Sequence, residues 1–190
     1  HGEETILLEV MRAVRGQFPE LRLLLAPRDI PRSEKIVEMA RRQGFSAELR
    51  SRLAVSPESA TSANTVIVLD TIGELGRFYS LADLVFVGGS LVSHGGHNIL
   101  EPAAHGKPII VGPHMFNFRD TYALFSGRGA CATALDGHEL AQKTGELLSD
   151  PDISGRMGRE AAAIVAENRG AAVRTVEKLK QVLAGQEHFV

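Results

Sequence analysis

The sequence predicts an α/β fold: a doubly wound parallel sheet of about six strands with helices on both faces. Two observations lead there. Short apolar runs alternate along the chain with stretches of helical periodicity. The runs themselves, such as "LRLLLAP" (21–27), "TVIVLD" (65–70) and "KPIIVGP" (107–113), are continuously apolar rather than alternating. A strand reads that way when helices bury both of its faces, which is the condition of a parallel sheet.

Each element follows from local pattern. Residues 3–18 predict a helix, because Ile6, Leu7, Val10, Met11 and Val14 recur at helical spacing and Glu3 and Glu4 favour its N-terminal end. Residues 21–27 predict a buried strand. Pro31 opens a second helix with Ile36, Val37 and Ala40 inward and Gly44 as its C-terminal cap. "SAELRS" predicts a strand, and the Ser-, Ala- and Pro-rich stretch 51–64 a loop. Strand 65–70 follows, then a short helix placing Leu75, Phe78, Tyr79 and Ala82 on one face, then strand 83–89. A helix begins at Asn98, a strand covers 107–113, a helix covers 118–125, and "GACAT" supplies the last strand. From Asp136 to Ala184 the pattern is helical, broken near Pro151 and Gly170. Six strands with intervening helices make a Rossmann-like domain over 1–190.

Composition narrows the function classes. The chain has 190 residues, 44% of them apolar and 23% charged, which is globular usage. A formal net charge of −2 implies no basic face and argues against nucleic acid as the main partner. The single cysteine, Cys131, excludes an internal disulfide and reads as a small buried hydrophobe. No apolar run approaches the roughly 20 residues of a membrane span. The opening "HGEETILLEV" has no initiator Met and enters a helix pattern at once, as a piece of a longer protein would.

In an open α/β sheet, ligands bind beyond the carboxyl ends of the strands. Those turns hold Pro27 and Arg28; Asp70 to Glu74; Gly88, Gly89 and Ser90 with the loop to Asn98; and Gly112 to His114. Gly88 and Gly89 let a backbone approach a ligand closely, and the helix starting near Asn98 directs free N–H groups at the same space. A phosphate suits that place, although a glycine pair also serves any tight turn. The spacing is not that of a dinucleotide-binding G-x-G-x-x-G. Asn98 and Glu101 form N-x-x-E, either a variant capping box or a carboxylate that receives a ribose diol. Arg28, just past a buried strand, calls for an anionic partner, either a ligand or a structural carboxylate. His94 and His97 lack neighbouring carboxylate or Cys ligands at metal-binding spacing.

On these residues the chain resembles a known family. "GELGRFYSLADLVFVGGSLVSHGGHNILEPAAHGKPIIVGPHMFNF" (73–118), with "LLLAPRD" (23–29) and "HGEE" (1–4), is similar to the bacterial 3-deoxy-D-manno-octulosonic acid (Kdo) transferases. Ser93 and Ile99 depart from the family's frequent prolines without removing a polar group. The resemblance implies the C-terminal, donor-binding half of a GT-B glycosyltransferase, with the acceptor domain absent. It implies transfer of Kdo from CMP-Kdo to a lipid A precursor at the cytoplasmic face of the bacterial inner membrane, in lipopolysaccharide synthesis. CMP contacts would fall on Pro27, Arg28, Ile72, Gly73, Glu74, Gly89, Ser90, Asn98, Ile99, Leu100 and Glu101. Glu101 would hold the ribose, the Ile72–Glu74 turn the cytosine, and Arg28 with the Asn98 helix start the phosphate. No cofactor is implied, and a single phosphate needs no bridging metal. The catalytic base is expected on the absent domain, which leaves Glu74 and Glu101 as the carboxylates of this half-site. Residues 171–190 would cross to that domain as a terminal helix. Two alternatives stay open: a GT-B transferase using a UDP-sugar, and a non-catalytic nucleotide-binding module.

Overall fold

The computed structural model describes residues 2–53 and 65–169. The loop expected up to residue 64 therefore lies largely, and the helix expected at 171–190 wholly, outside the described residues.

Among the described residues there are six strands: β1 (Leu23–Leu25), β2 (Ser46–Leu49), β3 (Thr65–Val68), β4 (Val85–Val87), β5 (Ile109–Val111) and β6 (Ala132–Thr133). The helices between them are α1 (Glu3–Val14), α2 (Ser33–Arg42), α3 (Arg50–Leu53), α4 (Leu75–Leu81), α5 (Leu100–Ala104) and α6 (Arg119–Gly127), with α7 (Gly137–Ser149) and α8 (Pro151–Asn168) closing the described chain. Every strand pairing is parallel. The six strands do not form one continuous sheet, however. They divide into two three-stranded sheets, ordered β1-β3-β2 and β4-β5-β6. Apolar runs report that a strand is buried but not which strand lies beside it, so this division was not legible in the sequence.

One helix joins the two halves. From α1, Leu8 and Met11 enter the core formed by Leu25, Ile36, Val37, Val66 and Val68. From the same helix, Val10 enters a second cluster with Ile110, Ala134, Leu140 and Leu147. The helical repeat sends neighbouring apolar residues to different sides of a wide stripe, and α1 uses that width to reach both sheets. A third core beneath α5 and α8 contains Val87, Ile99, Ala103, Ile109, Val111, Phe125 and Ile164.

Local chemistry ends and starts the helices as expected. Gly44 takes φ +84 just past α2, a conformation open to glycine. Asp136 caps α7 by accepting from the Glu139 N–H at 2.9 Å. Asp150 caps α8 by accepting from Asp152 and Ile153, with Pro151 at the first helical position. Gly158 of α8 lies so close to the end of α5 that a Cβ there would stand 2.0 Å from the Gly106 carbonyl oxygen. No helix among the described residues is long and apolar enough to cross a membrane.

Candidate functional site

In each sheet the parallel strands deliver their carboxyl ends to one edge, and three of the four turns singled out by sequence follow β1, β3 and β4. After β1 the chain exposes Arg28, which makes no hydrogen bond or ion pair among the described residues. Its charge is nonetheless felt across the edge. His97 is held below its ordinary value first by burial of its ring and next by the Arg28 guanidinium. The guanidinium charge thus acts on the ring, which is neutral at neutral pH.

After β3 the chain turns through Gly73 at φ +86. Glu74 accepts a hydrogen bond from the Thr71 hydroxyl and pairs with Arg50 at 2.9 Å. The Thr71 bond, then the Arg50 charge, hold the Glu74 carboxyl below the usual carboxylate range. Its side chain is thereby committed to shaping the turn. What the turn offers outward is the Ile72 side chain, 88% exposed, and its own backbone.

After β4 the structure departs from expectation. The turn Gly88–Gly89–Ser90 was expected to let its backbone approach a phosphate closely, and the structure places a carboxylate of the chain itself against its N–H groups. Glu3, 8% exposed, accepts from Gly89 N–H at 2.6 Å, Ser90 at 3.0 Å, Leu91 at 2.7 Å and Val92 at 3.4 Å. Ser90 is fully buried, its hydroxyl donating to the Val87 carbonyl at 2.5 Å and accepting from Gly112 N–H at 2.7 Å. Gly89 and Ser90, which the resemblance puts among the CMP contacts, are buried with their N–H groups bonded to Glu3. The second glycine pair also has a packing reason. A Cβ at Gly95 would stand 2.3 Å from Asn117 Nδ2, and one at Gly96 2.3 Å from Met115 Sδ.

The loop then delivers Asn98 to the start of α5. Asn98 Oδ1 accepts from Leu100 N–H at 3.0 Å, and Asn98 Nδ2 donates to Glu101 Oε1 at 3.1 Å. Asn98 is thus a cap, and α5 begins two residues after it rather than at it. Glu101 is bonded to the capping side chain instead of to backbone N–H groups, and it stays exposed. Its charge reaches Tyr79 of α4, whose hydroxyl is pushed up to about 12, chiefly by burial and then by Glu101. Ile99 is fully buried in the core, so only its backbone can meet a ligand, while Leu100 is 40% exposed.

The turns beyond β1, β3 and β4 therefore carry a cation with no ion pair among the described residues, a neutral imidazole, an exposed apolar turn and an exposed carboxylate. A cation suits a phosphate, and a carboxylate that accepts two hydrogen bonds suits a vicinal diol. Sequence reasoning missed Glu3. In an amphipathic helix its position looked like Glu4, which makes a helix-end ion pair with Arg32 at 3.0 Å. The available signal was a Gly-Gly-Ser turn with N–H groups needing an acceptor, and an acid at the head of the chain.

No protein-family model matches the chain. It is 36% identical over 185 residues to a 3-deoxy-D-manno-octulosonic acid transferase of Haemophilus influenzae, covering 96% of this chain and 42% of the relative. It is 34% identical to the Bordetella pertussis protein of the same name, with the same 96% and 42% coverage. The chain thus spans less than half the length of these relatives. Among solved structures it is similar to the C-terminal CMP-Kdo binding domain of WaaA from Acinetobacter baumannii. That match has TM-score 0.76 and 29% identity, and covers 87% of this chain and 84% of that one.

Proposed function

We propose that this chain, a homologue of the Kdo transferases, is a donor domain that holds CMP-Kdo for glycosyl transfer. The observation that carries this is the match, in both fold and sequence, to a domain described as binding CMP-Kdo. The edge chemistry supports the same ligand. Arg28 takes the phosphate, helped by His97 and by the N–H groups at the start of α5. Glu101 takes the ribose diol with the lone pairs that Asn98 leaves open. The Ile72–Glu74 turn receives the cytosine, with Ile72 against the flat ring and backbone groups of Ile72 and Gly73 at its polar edge. Pro27 sets the approach of Arg28. The side chains of Ile99 and Glu74 shape these turns from behind.

The chemistry that follows concerns the leaving group. The bond between the Kdo anomeric carbon and a phosphate oxygen breaks, and its electron pair stays on CMP. Negative charge grows on the phosphate, so a fixed cation at Arg28 acts more strongly in the transition state than before it. Within the longer protein we place the acceptor, a lipid A precursor, and the general base outside this domain, with the whole acting at the cytoplasmic face of the inner membrane in lipopolysaccharide synthesis. The binding test is calorimetry of the chain with CMP, UMP and UDP. CMP binding preferentially supports the proposal. Preference for UDP would move the chain to UDP-sugar transferases, and indifference among the three would leave a general nucleotide module.

A further inference from the structure

The geometry points to Glu3 as a positioning residue of the donor site: its carboxylate fills the Gly89–Val92 N–H groups, keeping a phosphate out of the glycine turn, and holds the Gly88–His97 loop in its shape. The inference rests on the donor-binding function proposed above. Glu3 does not touch the donor; it acts through the loop.

The connection can be followed bond by bond. One carboxylate gathers four consecutive N–H groups, Gly89 to Val92, between 2.6 and 3.4 Å. The carbonyls of the same turn face the other way, where Gly89 accepts from Gly96 N–H at 2.8 Å and Gly88 from His97 N–H at 3.1 Å. The next residue is Asn98, whose side chain caps α5 and meets Glu101. The turn is also wedged from both sides. A Cβ at Gly88 would lie 3.3 Å from Glu3 Oε2 and 3.7 Å from the His97 ring, and a Cβ at Gly89 3.2 Å from that ring. Gly89 has φ +71, so its conformation suits glycine and fixes which way the N–H groups point.

The charge of Glu3 matters as well as its shape. Without it, buried N–H groups would lack acceptors, which destabilises the turn. With it, the nest already holds an anion, and a second anion beside the first is repelled. The phosphate of a donor is thereby excluded from the glycine turn and directed to Arg28 and His97. Glu3 decides where on the edge the phosphate sits.

The test uses the 190-residue chain, CMP and cytidine, with backbone amide NMR and calorimetry. In wild type, CMP should shift the amides of Asn98–Glu101 and the signals of Arg28 and His97. The amides of Gly89, Ser90 and Leu91 should keep their hydrogen-exchange protection, because Glu3 stays on them. Glu3→Gln keeps the side-chain size, removes the charge and puts an NH2 donor where one of the two accepting oxygens stood. It should weaken CMP roughly tenfold and cytidine less than twofold, at a temperature where circular dichroism shows it folded. Gly89→Ala leaves the Glu3 carboxylate in place but strains the turn at φ +71 and crowds the His97 ring, so it should reproduce the same CMP-selective loss even where Glu3→Gln does not fold. Loss of protection at Gly89–Leu91 on adding CMP would mean that the phosphate takes the nest and Glu3 leaves it, which overturns the inference. So would Glu3→Gln or Gly89→Ala losing CMP and cytidine alike, or binding CMP within twofold of wild type. Failure of wild type to bind CMP overturns the donor function itself, and this inference with it.

Discussion

Arg28 stands beyond β1 with no hydrogen bond or ion pair among the described residues, and Glu101 stands at the head of α5, where Asn98 donates to it. The roles proposed for them in binding differ in kind and can be separated by choice of ligand. Arg28→Ala should weaken CMP by roughly 1.5–3 kcal/mol, the worth of a charge-assisted bond, and leave cytidine almost unchanged. Equal loss for both ligands, measured by calorimetry, would make Arg28 structural. Glu101→Gln should weaken CMP more than 2′-deoxyCMP, which lacks the diol. Equal loss there would assign Glu101 to its cap alone. Titration gives a further check at this scale. His97 is depressed below 6.5 in the folded chain, so its neutral form favours the fold. That contribution is present above about pH 6.5 and is lost as pH falls through the lower folded value. Glu74, bonded to Thr71 and Arg50, and Glu167, bonded to Arg128, are depressed below 4.5, so their contributions vanish only in stronger acid. The melting temperature should therefore fall in two stages, and His97→Gln should remove the first. At this scale the sequence made Arg28 and Glu101 visible, since a charge next to a buried run is conspicuous. It hid Glu3, whose role depends on which turn lies above the start of α1.

At the scale of elements, α1 is the piece on which both sheets depend. Leu8 is fully buried against the β1-β3-β2 core, and Val10 points to the β5 side. Leu8→Ala should cost about 2–5 kcal/mol by removing buried methyl groups and leaving a cavity. Because α1 carries Glu3 as well, the variant should also loosen the Gly88–Leu91 turn, seen as faster amide exchange there at matched temperature. Unchanged exchange at those amides would show that the apolar face and the Glu3 end of α1 act independently. The strands were legible because continuous apolar runs of three to six residues between turn signals have few other uses. Their boundaries were drawn too long, since the outer residues of "LRLLLAP" and "KPIIVGP" continue the apolar run after pairing has stopped. The division into two sheets was not legible at all. Strand order depends on how helices such as α1 settle across the gap, and no local pattern encodes that.

For the whole molecule, the unpaired chemistry gathers on one edge while the glycine pairs below it hold the loops together. Gly95 and Gly96 have no room for a Cβ against Asn117 and Met115. The glycines that most suggested a ligand are thus part of the scaffold, and the proposed donor function assigns the ligand to the charges that rim it. The relatives are more than twice as long as this chain, so donor binding and sugar transfer should separate experimentally. The 190-residue chain is expected to bind CMP modestly and to transfer no Kdo to a lipid A precursor. Detectable transfer by the chain alone would require a base among its own residues. The most direct measurement of the central claim is calorimetric titration of this chain with CMP against UMP and UDP at equal ionic strength. Donor-domain function predicts saturable CMP binding that exceeds both uridine nucleotides and survives EDTA. Tighter binding of UDP, or no binding of CMP at millimolar concentration, would contradict it.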